Sequence, residues 1–209
     1  MQLTSNSFAD GATIPGEFSF CVFDPVRHVA LGSNMNPHLA WRDAPEGTRS
    51  FVITCVDPDV PSQGDDVNQE GKTVPASLPR VDFFHWILVD LPPTVSQINA
   101  GEFSKQVTPR GKSGPLAAHA ARQGINNYTD WFAGDNDMRG DYYGYDGPCP
   151  PWNDELLHHY VFTVYALDIK TLPLEGKFGG AEVRAAMAGH ILAEASLTGI
   201  YSLNPALAG

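Results

Sequence analysis

The chain has few basic side chains and an excess of acidic ones. Lys and Arg together number 13 against 24 Asp and Glu, which gives a formal net charge of -11 over 209 residues. A field of that sign repels the phosphates of nucleic acids and of anionic membranes, so it excludes non-specific binding along a phosphate backbone. Any site for an anion must therefore work through a few hydrogen-bond donors placed close to it.

Cysteine is also scarce, with three residues at positions 21, 55 and 149 and no C-x-x-C spacing. An odd count without paired spacing does not indicate a disulfide framework, and it favours a reducing compartment. Cys21 and Cys55 lie in apolar runs and are expected to be inert core residues, whereas Cys149 lies in a proline-rich loop. The N-terminus lacks the basic and apolar regions of a signal peptide, so we predict a cytoplasmic location.

Several motifs that would identify a membrane protein, a metal site or an enzyme are missing. No run of 18 apolar residues exists, so no transmembrane segment is predicted. The H-x-H, H-E-x-x-H and EF-hand spacings are absent, and we predict neither a metal nor a cofactor. There is no G-x-S-x-G, and no catalytic residue is assigned. The length suits a single domain over residues 1–209 with a sizeable core.

Four segments rich in Phe, Val, Ile and Tyr, bounded by Pro, Gly or Asp, are predicted to be strands. They are Glu17–Phe23, Phe51–Val56, Phe83–Leu91 and Tyr160–Leu167. Long connections rather than regular helices separate them, which favours a mainly β fold with an antiparallel, β-sandwich-like core. Apolar residues at positions 183, 187, 191 and 195 predict one C-terminal helix over 181–197. Residues 198–202 are a candidate short strand.

Two connections are unusually long for a compact domain, namely residues 62–82 and 109–151. The second is rich in aromatic side chains, including Tyr128, Trp131 and Phe132, which argues against disorder. These aromatic residues are expected either to wall a cavity or to cover an edge of a sheet.

Polar side chains stand at or near the ends of three predicted strands. The run Asp-Pro-Asp-Val-Pro at 57–61 follows the second strand, and its prolines fix φ and remove amide donors. The strand is therefore predicted to end there, with Asp57 held at a stiff corner. His85 lies inside an aromatic strand, and His158 and Tyr160 begin the last one. If these strands are neighbours, the four side chains can converge on one pocket; an ordinary turn and a core histidine are the alternatives.

These residues resemble the phosphatidylethanolamine-binding protein family, also called the Raf kinase inhibitor-like family, over about residues 20–204. The matching pieces are the run at 57–61, His85-Trp86, the Gly-Pro-Cys-Pro-Pro loop at 147–151 and the His-x-Tyr at 158–160. Residues 190–201 look like the C-terminal signature of the bacterial branch. An insertion-like stretch at about 128–143, and a His at position 159 where the family commonly has Arg, are departures from the family pattern.

The resemblance implies a small anion pocket near the surface. Its site residues would be Asp57, His85, Pro150, Pro151, His158 and Tyr160, with Tyr201 in a C-terminal segment beside them. In this interpretation the Asp57 carboxylate orients His85 or His158, and the free ring N–H points at a bound anion. The Tyr160 hydroxyl donates as well, while His159 faces the other side of its strand. The resemblance also implies a cis Val60–Pro61 bond.

The leading hypothesis is a ligand-binding module for a small anion, such as a phosphate or a phospholipid head group. The resemblance adds a kinase or a protease as a candidate protein partner, with this chain as inhibitor or regulator. The alternative is a hydrolase in which Cys149 is the nucleophile and Asp57 pairs with a histidine, although no oxyanion hole can be read from the sequence. The sequence does not determine the oligomeric state, and a homodimer is one candidate.

Overall fold

The computed structural model describes residues 1–207, and in that part of the chain it has twelve strands, two α-helices and two short 3-10 helices. The strands are β1 Gln2–Thr4, β2 Cys21–Asp24, β3 His28–Leu31, β4 Leu39–Arg42, β5 Ser50–Pro61, β6 Arg80–Leu91, β7 Gln97–Ile98, β8 Gly111–Lys112, β9 Arg122–Gln123, β10 Asp141–Tyr142, β11 His158–Leu167 and β12 Ile191–Tyr201. The α-helices are α1 Tyr128–Trp131 and α2 Gly180–Met187, and the 3-10 helices are Gly16–Phe18 and Ala118–Ala120. The predicted mainly β fold is confirmed.

The main sheet contains the four longest strands in the antiparallel order β12-β11-β5-β6, with the short β9 at the far edge. A smaller antiparallel sheet, β1-β4-β7, packs over one face of it. The buried side chains of Leu39 and Trp41 on β4 meet Phe51 and Ile53 on β5, and the rings of Trp41 and Phe51 lie 5.3 Å apart. The apolar core thus lies between the two sheets, as a sandwich-like arrangement requires.

The opposite face of the main sheet is covered by α2. Side chains alternate along β5, so that Val52 points away from the core between the sheets. Val52 packs with Ile87 and Val89 of β6 against Val183 and Met187, the buried residues of α2. Both faces of the central strands are therefore buried, which explains their nearly continuous apolar sequence.

The C-terminal helix is shorter than the predicted 181–197, because α2 ends at Met187 and β12 begins at Ile191. Gly189 lies between them with φ +82, a left-handed conformation that ends a helix at low cost. The next residues pair with β11 from Ile191 opposite Leu167 to Tyr201 opposite His158. That ladder satisfies the outer backbone groups of β11, and it outweighs a helix propensity that is only a weak local preference. The prediction for residues 188–197 was wrong.

The strand boundaries near the candidate site also differ from the prediction. The segment 17–23 divides into a 3-10 helix, Gly16–Phe18, and the strand β2. The prolines at 58 and 61 do not end β5, which continues to Pro61 because a bulge between Asp57 and Val60 accommodates them. The predicted cis bond at Val60–Pro61 was wrong as well: within residues 1–207 the cis peptide bond is Gly114–Pro115.

A disulfide joins Cys21 of β2 to Cys149 in the Gly-Pro-Cys-Pro-Pro loop, across 128 residues of sequence. The expectation of three unpaired cysteines was therefore wrong, because two cysteines far apart in the chain meet only in the folded structure. Cys55 is the free cysteine, and it is buried. The disulfide removes one of the two grounds for predicting a cytoplasmic location, since such bonds are rare in reducing compartments.

Candidate functional site

A cavity of about 310 Å³ opens at the end of the main sheet where β5, β6 and β11 lie side by side. Six of the seven residues predicted for the site line this cavity, namely Asp57, His85, Pro150, Pro151, His158 and Tyr160. Tyr201 does not line it; its hydroxyl donates a 2.9 Å hydrogen bond to the backbone carbonyl of Cys21, which is a wall residue. The predicted convergence of three strands on one pocket is therefore present in the structure.

Two β-bulges aim the polar side chains into the cavity. Asp57 pairs with Phe83 and Val60 with Val81, so β5 contains one extra residue at this point. As a result Asp57 and Val60 both face the cavity, although three positions separate them. A second bulge on β6 places His85 beside Trp86 on the same face of the sheet, with His85 in the cavity and Trp86 in the core.

His158 lies buried between two carboxylates. Its Nδ1–H donates to Oδ2 of Asp57 at 2.7 Å, and its Nε2–H donates to Oδ2 of Asp154 at 3.2 Å. Since both ring nitrogens donate, the imidazole carries a positive charge. Burial by itself lowers the pKa of His158, but the hydrogen bonds and charges of Asp154 and Asp57 outweigh it and raise the pKa to about 9. Contrary to the prediction, His158 has no free N–H for a ligand.

Arg80 completes this buried charge network from β6. Its two terminal nitrogens bind Asp154 in a bidentate arrangement, with Nη1–Oδ2 at 2.6 Å and Nη2–Oδ1 at 3.0 Å. Burial favours a raised pKa for Asp154, but the hydrogen bonds from His158 and Arg80 outweigh it and hold the pKa below the usual range. Two carboxylates and two cations alternate along the network, so buried charge is matched group by group.

Asp154 and Arg80 were missed in the sequence. Asp154 lies four residues before His158, but this segment is not a helix, so the spacing alone does not predict that the two side chains meet. Nothing in the sequence indicates that the Arg80 side chain is only 11% exposed, because arginine near a strand end is ordinarily exposed.

Tyr160 lines the cavity, and its buried hydroxyl has no hydrogen bond of good geometry within residues 1–207, although the Asp57 carboxylate lies close enough for a weak one. The residue is fully buried, which together with the nearby charge of Asp57 raises the pKa of its phenol well above the usual value. The group is therefore a protonated O–H donor at any ordinary pH. A buried donor without a well-formed hydrogen bond is uncommon in native proteins, and this one belongs to a residue that lines the cavity.

His85 is fixed in one tautomer by the backbone. Its Nδ1–H donates a 2.8 Å hydrogen bond to the carbonyl of Asp146, which can only accept. Burial lowers the pKa of His85, although the charge of Asp57 and the hydrogen bond to Asp146 oppose it. The unliganded ring is accordingly neutral near pH 7, with the lone pair of Nε2 available on the side of the cavity.

Asp146 holds the Gly-Pro-Cys-Pro-Pro loop in place from within the protein. Its carboxylate accepts hydrogen bonds from Asn34 at 2.7 Å, Asn126 at 2.8 Å and Lys112 at 3.0 Å. The next residue, Gly147, approaches so closely that a Cβ there would stand 2.1 Å from the carbonyl oxygen of Phe18. The loop is therefore fixed, and it holds Pro150 and Pro151 as a rigid apolar wall. This role of Asp146 was also missed in the sequence.

The long loops supply the rest of the cavity wall, which is one of the two roles that the sequence analysis predicted for their aromatic residues. Residues 128–143 contribute Tyr128, Trp131, Phe132 and Met138 to the cavity. The rings of Tyr128 and Phe132 stack at 5.5 Å, so this wall is packed rather than loose.

Residues 62–79 bring Val67 and Asn68 to the cavity mouth. Asn153 fixes this second loop: its side-chain oxygen accepts from the amide of Asn68 at 2.9 Å, and its side-chain nitrogen donates to the carbonyl of Asp66 at 2.9 Å.

The structure bears on four other predictions. His159 is half-exposed and lies outside the cavity, where its Nδ1 is 2.8 Å from Oδ2 of Asp59. Within residues 1–207 no group of three or more His, Cys, Asp and Glu is arranged to hold a metal ion.

Cys149 has no thiolate to offer as a nucleophile because its sulfur is bonded to Cys21, so the hydrolase alternative loses its catalytic group. Across the same residues, no helix is long and apolar enough to cross a membrane.

Comparison with known proteins gives consistent matches over nearly the whole chain. A family model described as phosphatidylethanolamine-binding protein matches residues 4–202. UPF0098 protein YbhB of Escherichia coli K12 is 33% identical over 202 residues, which is 97% of this chain and 100% of the relative. A UPF0098 protein of Chlamydia muridarum is 33% identical over 201 residues, with 96% and 98% covered.

Two solved structures are similar to the fold. The crystal structure of Escherichia coli YbcL, described as a member of the mammalian PEBP family, has a TM-score of 0.68 at 28% identity, and the match covers 96% of this chain and 97% of that one. A phosphatidylethanolamine-binding protein homolog from Chlamydia trachomatis has a TM-score of 0.63 at 30% identity, with 96% of both chains covered.

Proposed function

Because the chain belongs to the phosphatidylethanolamine-binding protein family, we propose that its cavity binds a small ligand through an anionic group, such as a phosphate or a phospholipid head group. Family membership supports a ligand-binding module in general. The finer assignment depends on the chemistry of the cavity floor, where Tyr160, His85, Asp57 and His158 meet.

The hydroxyl of Tyr160, which has only a weak protein partner in Asp57, is the observation that carries this proposal. Leaving a buried donor without an acceptor costs about 1–3 kcal/mol, and an oxygen of a bound anion would recover that cost. The His158 imidazolium lies on the same floor and is held there by Asp57, so a fixed positive charge is near the bound group. The hydroxyl, rather than a histidine N–H, is therefore the primary donor to the ligand.

His85 gives the second contact, by taking up a proton when the anion binds. In the unliganded protein its Nε2 carries a lone pair, which repels an anionic oxygen. A bound negative charge favours the protonated ring and converts Nε2 into a donor, while Nδ1 keeps its bond to Asp146. Asp57 acts indirectly, because it holds His158 and does not itself attract an anion.

Isothermal titration calorimetry with inorganic phosphate and phosphoethanolamine tests the proposal. Since a hydrogen bond to a charged group contributes about 1.5–3 kcal/mol, Tyr160→Phe and His85→Ala should each weaken binding tenfold or more. Tyr160→Phe removes a hydroxyl whose bond to Asp57 is weak, so the variant should be about as stable as the wild type. His159→Ala is the control and should bind normally. Unchanged affinity in both Tyr160→Phe and His85→Ala would place the anion site elsewhere or show that there is none.

The remaining expectations from the sequence stay predictions. A kinase or protease partner, a homodimer and a cytoplasmic location are not tested by any contact in the structure.

A further inference from the structure

We propose that the outer edge of β12 binds an extended segment of a partner protein in which basic and apolar side chains alternate. The segment would lie beside residues 192–196 and add a sixth strand to the main sheet. This surface is remote from the cavity, because β12 pairs with His158 through Tyr201 at the cavity end and with Leu167 through Ile191 at the other end. The inference is therefore independent of the proposed anion site.

β12 is an edge strand, and its outer backbone groups near the cavity end are already used. Its inner groups pair with β11 along the strand. On the outer side, the carbonyl of Thr198 accepts from the amide of Gly11 at 2.7 Å, and the amide of Ile200 donates to the carbonyl of Ala12 at 3.0 Å. The N-terminal segment thus covers only this part of the edge.

The rest of the edge is open at Glu194 and Ser196. Successive residues of a strand direct their backbone groups to opposite sides, so these two residues point outward as Thr198 does. Within residues 1–207 no protein group bonds to their outward N–H and C=O groups, and both residues are exposed. A row of unpaired backbone groups of this kind is the template on which an extended peptide adds as a strand.

The side of β12 that faces the core has room for apolar side chains of an added strand. Ala193 and Ala195 lie on this side, opposite the buried Ala166 and Val164 of β11, and both alanines are only partly buried. Their single methyl groups leave space beside them for a larger cross-strand neighbour. Ile191 and Leu192, at 42% and 41% exposure, extend the apolar surface at the same end.

The opposite side of the edge favours a basic side chain. Glu194 is exposed there and forms no ion pair within residues 1–207, so a Lys or Arg directly across from it would gain a cross-strand charge pair. A second copy of this chain is the wrong occupant. Pairing across a twofold axis would bring two Glu194 carboxylates to the same face, between chains that each carry a net charge of -11. A charged residue in an edge strand prevents this kind of self-pairing.

The test uses two short blocked peptides, one alternating valine with lysine and the other alternating valine with glutamate. By titration calorimetry the lysine peptide should bind at least about threefold more tightly, as expected for a cross-strand charge pair. By NMR it should slow the hydrogen exchange of the Glu194 and Ser196 amides. Equal affinity for the two peptides, no binding of the lysine peptide, or unchanged exchange at these amides would overturn the proposal. So would a dimer of the chain alone in which the same amides are already protected.

Three variants localise the effect. Ser196→Pro removes an outward N–H, a position where an edge strand tolerates proline, and it should abolish binding of the lysine peptide. Glu194→Lys leaves the backbone intact and should reverse the preference toward the glutamate peptide.

Glu175→Lys makes the same change of net charge at an exposed residue near the opposite edge of the sheet, where the adjacent Leu174 bonds to Arg122 of β9. This control should keep the preference of the wild type. An unchanged preference in Glu194→Lys, or an equal reversal in Glu175→Lys, would show that the peptides do not bind at this edge.

Discussion

Oδ2 of Asp57 and Nδ1 of His158 are joined by a 2.7 Å hydrogen bond, although 101 residues separate them in the chain. The bond crosses between the neighbouring strands β5 and β11, and Asp154 holds the other nitrogen of the same ring. His158 is therefore a buried cation that organises the floor of the cavity. In the binding mode that we propose, Tyr160 and protonated His85 take the role of ligand donor that the sequence suggested for His158.

The first prediction concerns stability at alkaline pH. The pKa of His158 is raised from an ordinary 6.5 to about 9 in the folded protein, so its contribution to stability is complete below pH 6.5 and is lost as the pH rises to about 9. With about 1.4 kcal/mol for each pKa unit, the loss is about 3 kcal/mol. Urea unfolding at several pH values should show this decline in the wild type but not in His158→Gln. A parallel decline in both proteins would mean that another group is responsible.

The second prediction concerns the buried ion pair of Arg80 and Asp154. Asp154→Asn leaves a largely buried guanidinium without its carboxylate, which is expected to cost up to about 3–5 kcal/mol of unfolding free energy. It should also lower the pKa of His158, measured by NMR titration of the ring. The control is Arg27→Ala, which removes an exposed pair with Asp24 and should leave the unfolding free energy nearly unchanged. Similar costs for the two variants would show that the Arg80 pair is not desolvated in solution.

The third prediction concerns the disulfide. With Cys21 and Cys149 bonded, the unfolded protein should present one reactive thiol per chain without reductant and three after reduction. In the chain-entropy account a crosslink over so long a loop contributes about 4–5 kcal/mol, so Cys149→Ser should melt at a lower temperature. Reductant should lower the melting temperature of the wild type and leave that of Cys149→Ser unchanged. Three thiols before reduction would contradict the pairing.

The fourth prediction concerns the pH dependence of anion binding. The pKa of unliganded His85 lies below 6.5 because the ring is buried, and a bound anion should raise it. Affinity should therefore rise severalfold from about pH 7.5 to about pH 5.5, a window that spans the ordinary histidine pKa of about 6.5. The other charges facing His85 are those of Asp57, Asp146 and His158, and His158 keeps its proton throughout this window.

A phosphodiester such as glycerophosphoethanolamine is the appropriate probe, since its phosphate keeps a single negative charge across this range. His85→Gln should flatten the profile, whereas His159→Ala, altered outside the cavity, should retain it. A wild-type affinity that is constant with pH would show that His85 does not take up a proton when the anion binds.

The sequence was sufficient for the family, the mainly β fold and the residue types at the cavity. Strand composition is a local property, and the motifs around Asp57, His85 and His158 are contiguous enough to be read from the chain. Reliance on local sequence also explains why the helix predicted over residues 188–197 was wrong. An alanine-rich segment with helical spacing satisfies the helix criterion, but pairing with β11 depends on residues that lie about 30 positions earlier.

What only the tertiary structure decided is how the side chains share their hydrogen bonds. The sequence placed Asp57 and His158 near each other, but it did not show that Asp154 and Arg80 complete the network and leave His158 without a free N–H. It also did not pair Cys21 with Cys149. The composition of each strand is a local property of the sequence. The protonation of a buried histidine and the partner of a cysteine depend instead on which distant residues folding brings close, within about 3 Å for a hydrogen bond.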